Sequence, residues 1–381
     1  MSEPYAEPLL LTPGPVRTAP EVKDAMTQDF APAGVAIKET TAWIRRYLLD
    51  MVNGDGVYEC VPLQGSGTYV IEAAFHTLIP KDGKVLIIAN GFYGLRLRDI
   101  LKTMGKAFVL LELPMLPLPT AADVEAALDA DPSITHMAMC HCDTGTGVLN
   151  PIAEIAGVAK ERGIRLIVDA VASLGGFEID AKALDLEAVV SGANKCLESA
   201  PGIGFVIAKR ESLEAAKGNS PSMSLDVHDQ WAAMEENGLW RFTPPTHVIR
   251  AMGAALDLHE KEGGVAGRNE RYRRVWRRVV SGMRQRGFKS LLPDRGASPI
   301  VASFHDPADS NYTYAAFSAA LERRGFLIFA GRLTAAGTFR MGCMGRITDD
   351  DVDRLIEAVE ETVEELGIRH RSRDEDRAPS Q

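Results

Sequence analysis

Lys195 follows the apolar run Ala188-Val189-Val190 and the short segment Ser191-Gly192-Ala193-Asn194. An amine fixed at a strand end can be desolvated, and a desolvated amine gives up its proton at lower pH, as imine formation with an aldehyde requires. Most lysines are surface residues, so this reading depends on its neighbours. Asp169 closes the run Leu166-Ile167-Val168, where an unpartnered carboxylate would be costly. It either offers an anion to a cationic ring nitrogen or caps the turn that follows. Tyr93, between Gly91 and Gly94, either stacks on a flat ligand or packs in the core. Gln64-Gly65-Ser66-Gly67-Thr68 leads into an apolar-periodic run through Val70, Ala73, Ala74 and Leu78. Small residues there open a helix whose free amides and positive dipole end favour a phosphate. A simple serine or threonine cap is the alternative.

Together, an amine, an anion, a flat group and a phosphate cup are what pyridoxal 5'-phosphate needs. Lys195 supplies the amine. Asp169 keeps the ring nitrogen protonated so that the ring accepts electrons, Tyr93 covers the ring, and Ser66, Gly67 and Thr68 hold the phosphate.

The elements that must position these groups follow from apolar periodicity. Residues 85–89 are a continuous apolar run of the kind buried on both sheet faces, and residues 164–170 are an apolar strand with one carboxylate at its carboxyl end. Residues 108–113, 135–140, 188–190 and 204–208 add further strands, with helices expected after residue 94 and over 121–128. Asn150-Pro151 reads as the cap and start of a helix that stops at Gly163. Strands alternating with helices predict an α/β unit with a mostly parallel central sheet covered on both faces and ligand groups at its carboxyl ends. Further on, residues 268–286 are strongly basic with Tyr272, Val275, Trp276, Val279 and Met283 at helical spacing; a nucleic-acid surface is one reading, and a solvated helix face that begins a second domain is the one the acidic whole favours. Strands at 300–304, 326–329 and 339–342, a helix at 312–324, and a capping box from Thr348 to Asp351 complete a smaller α+β domain. The expected division is an arm over residues 1–20, a large domain over 21–265, a small domain over 266–368 and a disordered, charged tail over 369–381.

With 52 acidic against 42 basic residues the formal net charge is -10, a field that repels nucleic acid and anionic membranes. The start of the chain shows no basic region followed by an apolar run, and no stretch reaches a membrane-spanning length. A cytoplasmic protein is therefore expected. Five cysteines, an odd number scattered through apolar segments, are expected to be reduced core thiols. Cys140-His141-Cys142 is not read as a metal site, because neighbouring strand residues point to opposite faces.

The sequence resembles the class V, fold-type I pyridoxal phosphate aminotransferases. Within them it is similar to the 2-aminoethylphosphonate:pyruvate transaminases over nearly its whole length. The matching segments are Leu9-Leu10-Leu11-Thr12-Pro13-Gly14-Pro15, Leu63-Gln64-Gly65-Ser66-Gly67-Thr68-Tyr69, Asn90-Gly91 with Tyr93-Gly94, and Ser191 with Ala193-Asn194-Lys195-Cys196. Trp240-Arg241-Phe242-Thr243, Pro245-Thr246-His247, and Phe339-Arg340 with Gly342 continue the match. The resemblance implies a homodimer with shared active sites, Thr243 reaching the cofactor phosphate of a second subunit, and small amine and keto-acid substrates. It also implies Arg340 on the anionic end of the substrate, Gly14 beside it, and Thr144 and Thr146 lining the cofactor. The sequence departs from the family at Phe30 to Lys38, where an acidic, aromatic stretch is usual, and at Gly145, where a hydroxyl residue is usual. Two other activities share the cofactor: an ammonia lyase acting on the hydroxylated aminoethylphosphonate, and an alanine:glyoxylate or serine:pyruvate transaminase.

Overall fold

The computed structural model describes residues 7–330 and 337–371. They form two compact units: residues 18–143 with Leu149–Arg268, and residues 7–17 with Thr144–Val148 and 269–371.

The larger unit is built on a seven-stranded sheet. In chain order its strands are β1 (Tyr58–Gly65), β2 (Lys84–Ala89), β3 (Ala107–Glu112), β4 (His136–Cys140), β5 (Arg165–Asp169), β6 (Ala188–Gly192) and β7 (Gly202–Lys209). Their spatial order is β1-β7-β6-β5-β4-β2-β3. Only β7 runs against its neighbours, with Gly204 opposite Gly192 on β6 and opposite Leu63 on β1. The strand β1, not anticipated from the sequence, carries Glu59 and Pro62. A proline is tolerated there because β1 lies at the sheet edge, where its nitrogen owes no ladder bond.

Alternation along the strands feeds two cores. Leu86 and Ile88 of β2 join Met137, Met139, Ile44, Leu48 and Leu256 on one face. Val85 and Ile87 join Ala138, Val70, Phe75 and Leu97 on the other. On this second face the helix Gly67–Leu78 approaches so closely that a Cβ on Gly204 would lie 2.7 Å from Val70.

In the smaller unit β8 (Val301–His305), β9 (Phe329–Ala330) and β10 (Thr338–Gly342) pair antiparallel in the order β8-β10-β9. Phe304, Phe317 and Phe288 surround the buried Phe339. The N-terminal segment belongs here: Leu9–Leu10 pairs in parallel with Phe326–Leu327, and the Gly342 amide donates to the Leu11 carbonyl at 2.8 Å. The basic run is answered by acids of the same unit, Arg274 pairing with Asp349 at 3.2 Å, Arg278 with Asp353, and Arg286 with Glu360 at 3.5 Å. The capping box on the helix Asp349–Leu366 forms as expected, Thr348 exchanging bonds with Asp351.

The expectation of a disordered tail from residue 369 fails at its start. The amides of Arg369 and His370 donate to Asp309, and Arg371 pairs with Glu360 at 3.0 Å. Residues 372–381 lie outside the described residues. Among the described residues no helix is long and apolar enough to cross a membrane. All five cysteines are buried and free of disulfides.

Candidate active site

The carboxyl ends of β6, β5, β4 and β2 lie side by side in the sheet, so four groups far apart in sequence meet there. Lys195, in the turn after β6, is buried, at 9% exposure. Its loop is held by backbone bonds from Ser199 to Ala193 (3.0 Å) and from Glu198 to the Lys195 carbonyl (2.9 Å). The Cys196 thiol donates to the Ala172 carbonyl at 3.2 Å.

Beneath this loop lies Arg268, which donates to the Cys196 carbonyl and pairs with Glu262 at 2.7 Å and Glu198 at 3.8 Å. At 1% exposure Arg268 is not part of a solvated basic face, which corrects the sequence reading at that residue. It clamps the lysine loop from below. Arg268→Ala removes a buried cation together with its ion pairs and its bond to the Cys196 carbonyl, so we expect a stability loss of about 3–5 kcal/mol. The midpoint of urea unfolding measures it, and an unchanged midpoint would remove the clamp from the account.

Asp169 ends β5 and is buried. Its Oδ1 accepts the Val171 amide at 2.9 Å, so the capping role weighed for it is real; the other oxygen belongs to the same buried carboxylate. Burial, reinforced by Asp143, pushes its pKa from 3.8 up to about 6 against the opposing effects of the Val171 amide, Arg96 and Lys195. The protein therefore meets the cost of burying this anion only in part, a setting suited to an incoming cation such as a protonated ring nitrogen.

The helix Gly67–Leu78 begins beside these groups. Its N-cap Ser66 makes no side-chain cap bond, which favours the phosphate reading over the capping one. A Cβ on Gly67 would sit 2.6 Å from Val171, and one on Gly192 would sit 3.5 Å from the Gly67 nitrogen. Helix start, Asp169 turn and β6 are thus in mutual contact. Free amides, the helix dipole and an uncommitted hydroxyl fit a phosphate; Lys195 and Asp169 fit the aldehyde and ring ends of the same cofactor.

Tyr93 is half-buried in the first turn of the helix Phe92–Thr103. Its amide donates to Asp143 Oδ2 at 2.7 Å. Arg96 lies 4.7 Å over its ring and reaches Thr68 Oγ1 at 3.4 Å, so the aromatic and phosphate elements are linked. Asn90 and Asn150 exchange amide bonds of 2.8 and 3.0 Å, and Asn150 also donates to the Cys140 carbonyl at 2.7 Å. Asn150 is therefore not a helix cap, since the helix Ile152–Glu161 has Pro151 at that position and no side-chain cap. Buried His141 packs edge-on to Phe177 at 6.0 Å, and burial holds its pKa down at about 4.

Sequence reasoning missed Arg96, Asp143 and the asparagine pair. Arg96 had a signal, three residues after Tyr93 and hence on the same helix face. The others depend on partners distant in sequence.

Gln64 donates to the Thr243 carbonyl, and Thr243 itself is exposed. The remaining expected residues belong to the smaller unit. Thr144 and Thr146 are buried there, the Thr146 hydroxyl accepting the Val148 amide at 3.2 Å. Arg340, on β10 and 2% exposed, donates to the Ala330 carbonyl at 3.0 and 2.7 Å and to the Thr144 carbonyl. Gly14 adopts φ 113°, a conformation open mainly to glycine.

The family described as Aminotransferase class-V matches residues 29–355. The "2-aminoethylphosphonate--pyruvate transaminase 2" of Burkholderia lata is 44% identical over 364 residues, covering 96% of this chain and 97% of that protein. The "2-aminoethylphosphonate--pyruvate transaminase" of Rhizobium meliloti is 46% identical over 363 residues, covering 95% of each. Among solved structures, the pyridoxamine-pyruvate aminotransferase of Mesorhizobium loti superposes with a TM-score of 0.87 at 26% identity, covering 97% of this chain and 96% of that one.

Proposed function

Because the chain belongs to the class-V aminotransferase family, we propose that it transfers the amino group of 2-aminoethylphosphonate to pyruvate, giving phosphonoacetaldehyde and L-alanine. The observation that carries this reading is 44–46% identity over nearly the full length to proteins of that name. The buried Lys195 and Asp169 at adjacent strand ends support it. The place of the reaction is phosphonate catabolism.

Pyridoxal 5'-phosphate, when bound, supplies an aldehyde to carry the amino group and a ring to take up the electrons released at the substrate carbon. Ser66, Gly67 and Thr68 hold its phosphate at the helix start. Asp169 holds a proton at the ring nitrogen, and Tyr93 covers the ring. Lys195 Nζ would anchor the aldehyde and, once released, would take up the proton from the substrate carbon and give it back, acting as base and then acid. Arg340 is the residue we assign to the substrate anion, since a guanidinium fork matches the oxygens of a carboxylate or a phosphonate; taking that role requires it to exchange its present bonds to the Ala330 and Thr144 carbonyls. From the same family resemblance Gly14 is assigned beside it, and Thr144 and Thr146 are assigned to the cofactor.

We assign a homodimer as the working form. Tyr69 and Phe242 are exposed at 59% and 42% on a cavity of about 620 Å³ that Gln64, Leu225 and Trp240 also line. Apolar surface of this kind suits a second copy, and exposed Thr243 is available to reach that copy's phosphate. Five reduced, buried thiols suit the cytoplasm.

The test is to incubate the loaded enzyme with 2-aminoethylphosphonate or its hydroxylated relative, with and without pyruvate, and to assay alanine and free ammonia. Alanine that requires both the unmodified phosphonate and pyruvate is the expected result. Ammonia released from the hydroxylated compound without pyruvate would make the enzyme a lyase instead.

A further inference from the structure

We propose that Asp143 is a positioning residue for this reaction, its carboxylate capping the helix Phe92–Thr103 in place of the side chain Gly91 lacks and thereby fixing Tyr93 over the cofactor ring. The inference rests on the aminotransferase reading for its functional consequence but not for its geometry.

The helix Phe92–Thr103 has twelve residues, and its N-cap, Gly91, makes no side-chain cap bond. A cap normally satisfies the amide of the second or third helical residue from its own side chain. Here the second residue is Tyr93, and its amide donates at 2.7 Å to Asp143 Oδ2, which arrives from the two-residue strand Cys142–Asp143 that follows β4. Asp143 is fully buried, and the positive end of a helix is where a buried carboxylate is most favoured.

Gly91 is suited to this arrangement by space rather than by backbone conformation. Its φ of -171° is extended and open to any residue. A Cβ there would lie 2.3 Å from Asp143 Oδ2 and 2.6 Å from its carboxyl carbon, so any side chain at 91 would drive the carboxylate away. Glycine at the cap and aspartate across the gap form a single device.

Asp143 also acts on Asp169. The charged groups bearing on Asp169 are Asp143, which raises its proton affinity, and Arg96 and Lys195, which lower it. The neighbouring Cys140 thiol, pushed up first by burial, feels both carboxylates. Asp143 thus bears both on the amide that places Tyr93 and on the proton affinity of Asp169.

Three variants separate these roles. Asp143→Ala removes both the bond and the charge; Asp143→Asn keeps an oxygen for the Tyr93 amide and loses the charge; Gly91→Ala leaves the chemistry intact and displaces the carboxylate. The measurements are amide hydrogen exchange at Tyr93, the equilibrium affinity for pyridoxal phosphate, and the pH midpoint of the bound cofactor's visible absorbance.

Asp143→Ala and Gly91→Ala should both speed Tyr93 exchange and weaken cofactor binding by roughly tenfold to a hundredfold, the scale of a hydrogen bond to a charged acceptor. Asp143→Asn should largely restore both. Its absorbance midpoint should still move to lower pH, because the lost negative charge had favoured the protonated form.

Folded Asp143→Ala with Tyr93 exchange, cofactor affinity and pH midpoint unchanged would overturn the proposal. So would an Asp143→Asn protein whose Tyr93 amide exchanges as fast as in Asp143→Ala. If the unaltered protein bound no pyridoxal phosphate, the aminotransferase reading would fall by itself. Exchange at Tyr93 would then still decide the cap.

Discussion

Lys195→Ala is expected to abolish amino transfer while leaving the protein folded. Loss of the proton-carrying amine alone lowers the rate by roughly 10²–10⁴-fold, and loss of the covalent anchor adds to it. Cofactor binding should weaken rather than vanish, because the start of the helix Gly67–Leu78 and Asp169 are untouched. Borohydride should therefore fix the cofactor irreversibly to the unaltered protein and not to the variant. A Lys195→Ala enzyme that turns over normally, or that is still labelled after reduction, would take the central residue out of the mechanism. The effect should not come from unfolding, since the lysine loop keeps its backbone bonds and the Arg268 clamp.

Asp169→Asn is expected to have the second largest effect, and it should push activity and stability in opposite directions. An amide cannot hold the ring nitrogen's proton electrostatically, so turnover should fall by about 10²–10³-fold, the scale of losing one preorganised electrostatic contact. In the cofactor-free protein the same change removes a poorly compensated buried charge. The distance from 3.8 to about 6 corresponds to roughly 3 kcal/mol.

The sign follows from proton linkage. A carboxyl group raised in the folded state contributes stability below its unfolded value near pH 4, and that contribution is lost as the pH rises toward 6. Cofactor-free Asp169→Asn should accordingly gain on the unaltered protein as pH rises through that window and stay more stable above it. Urea titrations at pH 4 and pH 8 measure this. A variant less stable than its parent at pH 8 would show that the carboxylate is better compensated than its surroundings indicate. An anion held at a cost to the empty protein is a common feature of sites built for a ligand.

The groups we assign to the chemistry were legible in the sequence because each lies at the carboxyl end of an apolar strand or at a glycine-rich helix start. Hydrophobic runs, glycines and a lone charge at a run's end are local signals. Lys195, Asp169, Tyr93 and Ser66 to Thr68 all carried one.

What was not legible depends on partners distant along the chain. Asn150-Pro151 has the local form of a helix cap, and the tertiary bond to Asn90 overrides it. Asp143 gives no sign of its role until the Tyr93 amide is placed opposite it. β1 was hidden by Glu59 and Pro62, which break the apolar run; Glu59 is held by Arg45 and Arg210. Arg268 is the instructive error. It lies four residues before Tyr272, on the same helical face as Val275 and Val279, and all four are buried. The periodicity puts Arg268 on the buried face, a signal masked by the number of arginines in the segment.

The central claim is that nitrogen passes from the phosphonate to the keto acid on this protein. The direct measurement uses 2-aminoethylphosphonate labelled with heavy nitrogen, pyruvate and the loaded enzyme, with alanine and ammonium analysed by mass. The account predicts that the label appears in L-alanine in step with the phosphonoacetaldehyde formed, and that it is absent from ammonium. Label recovered as free ammonium, or alanine that stays unlabelled, would contradict it.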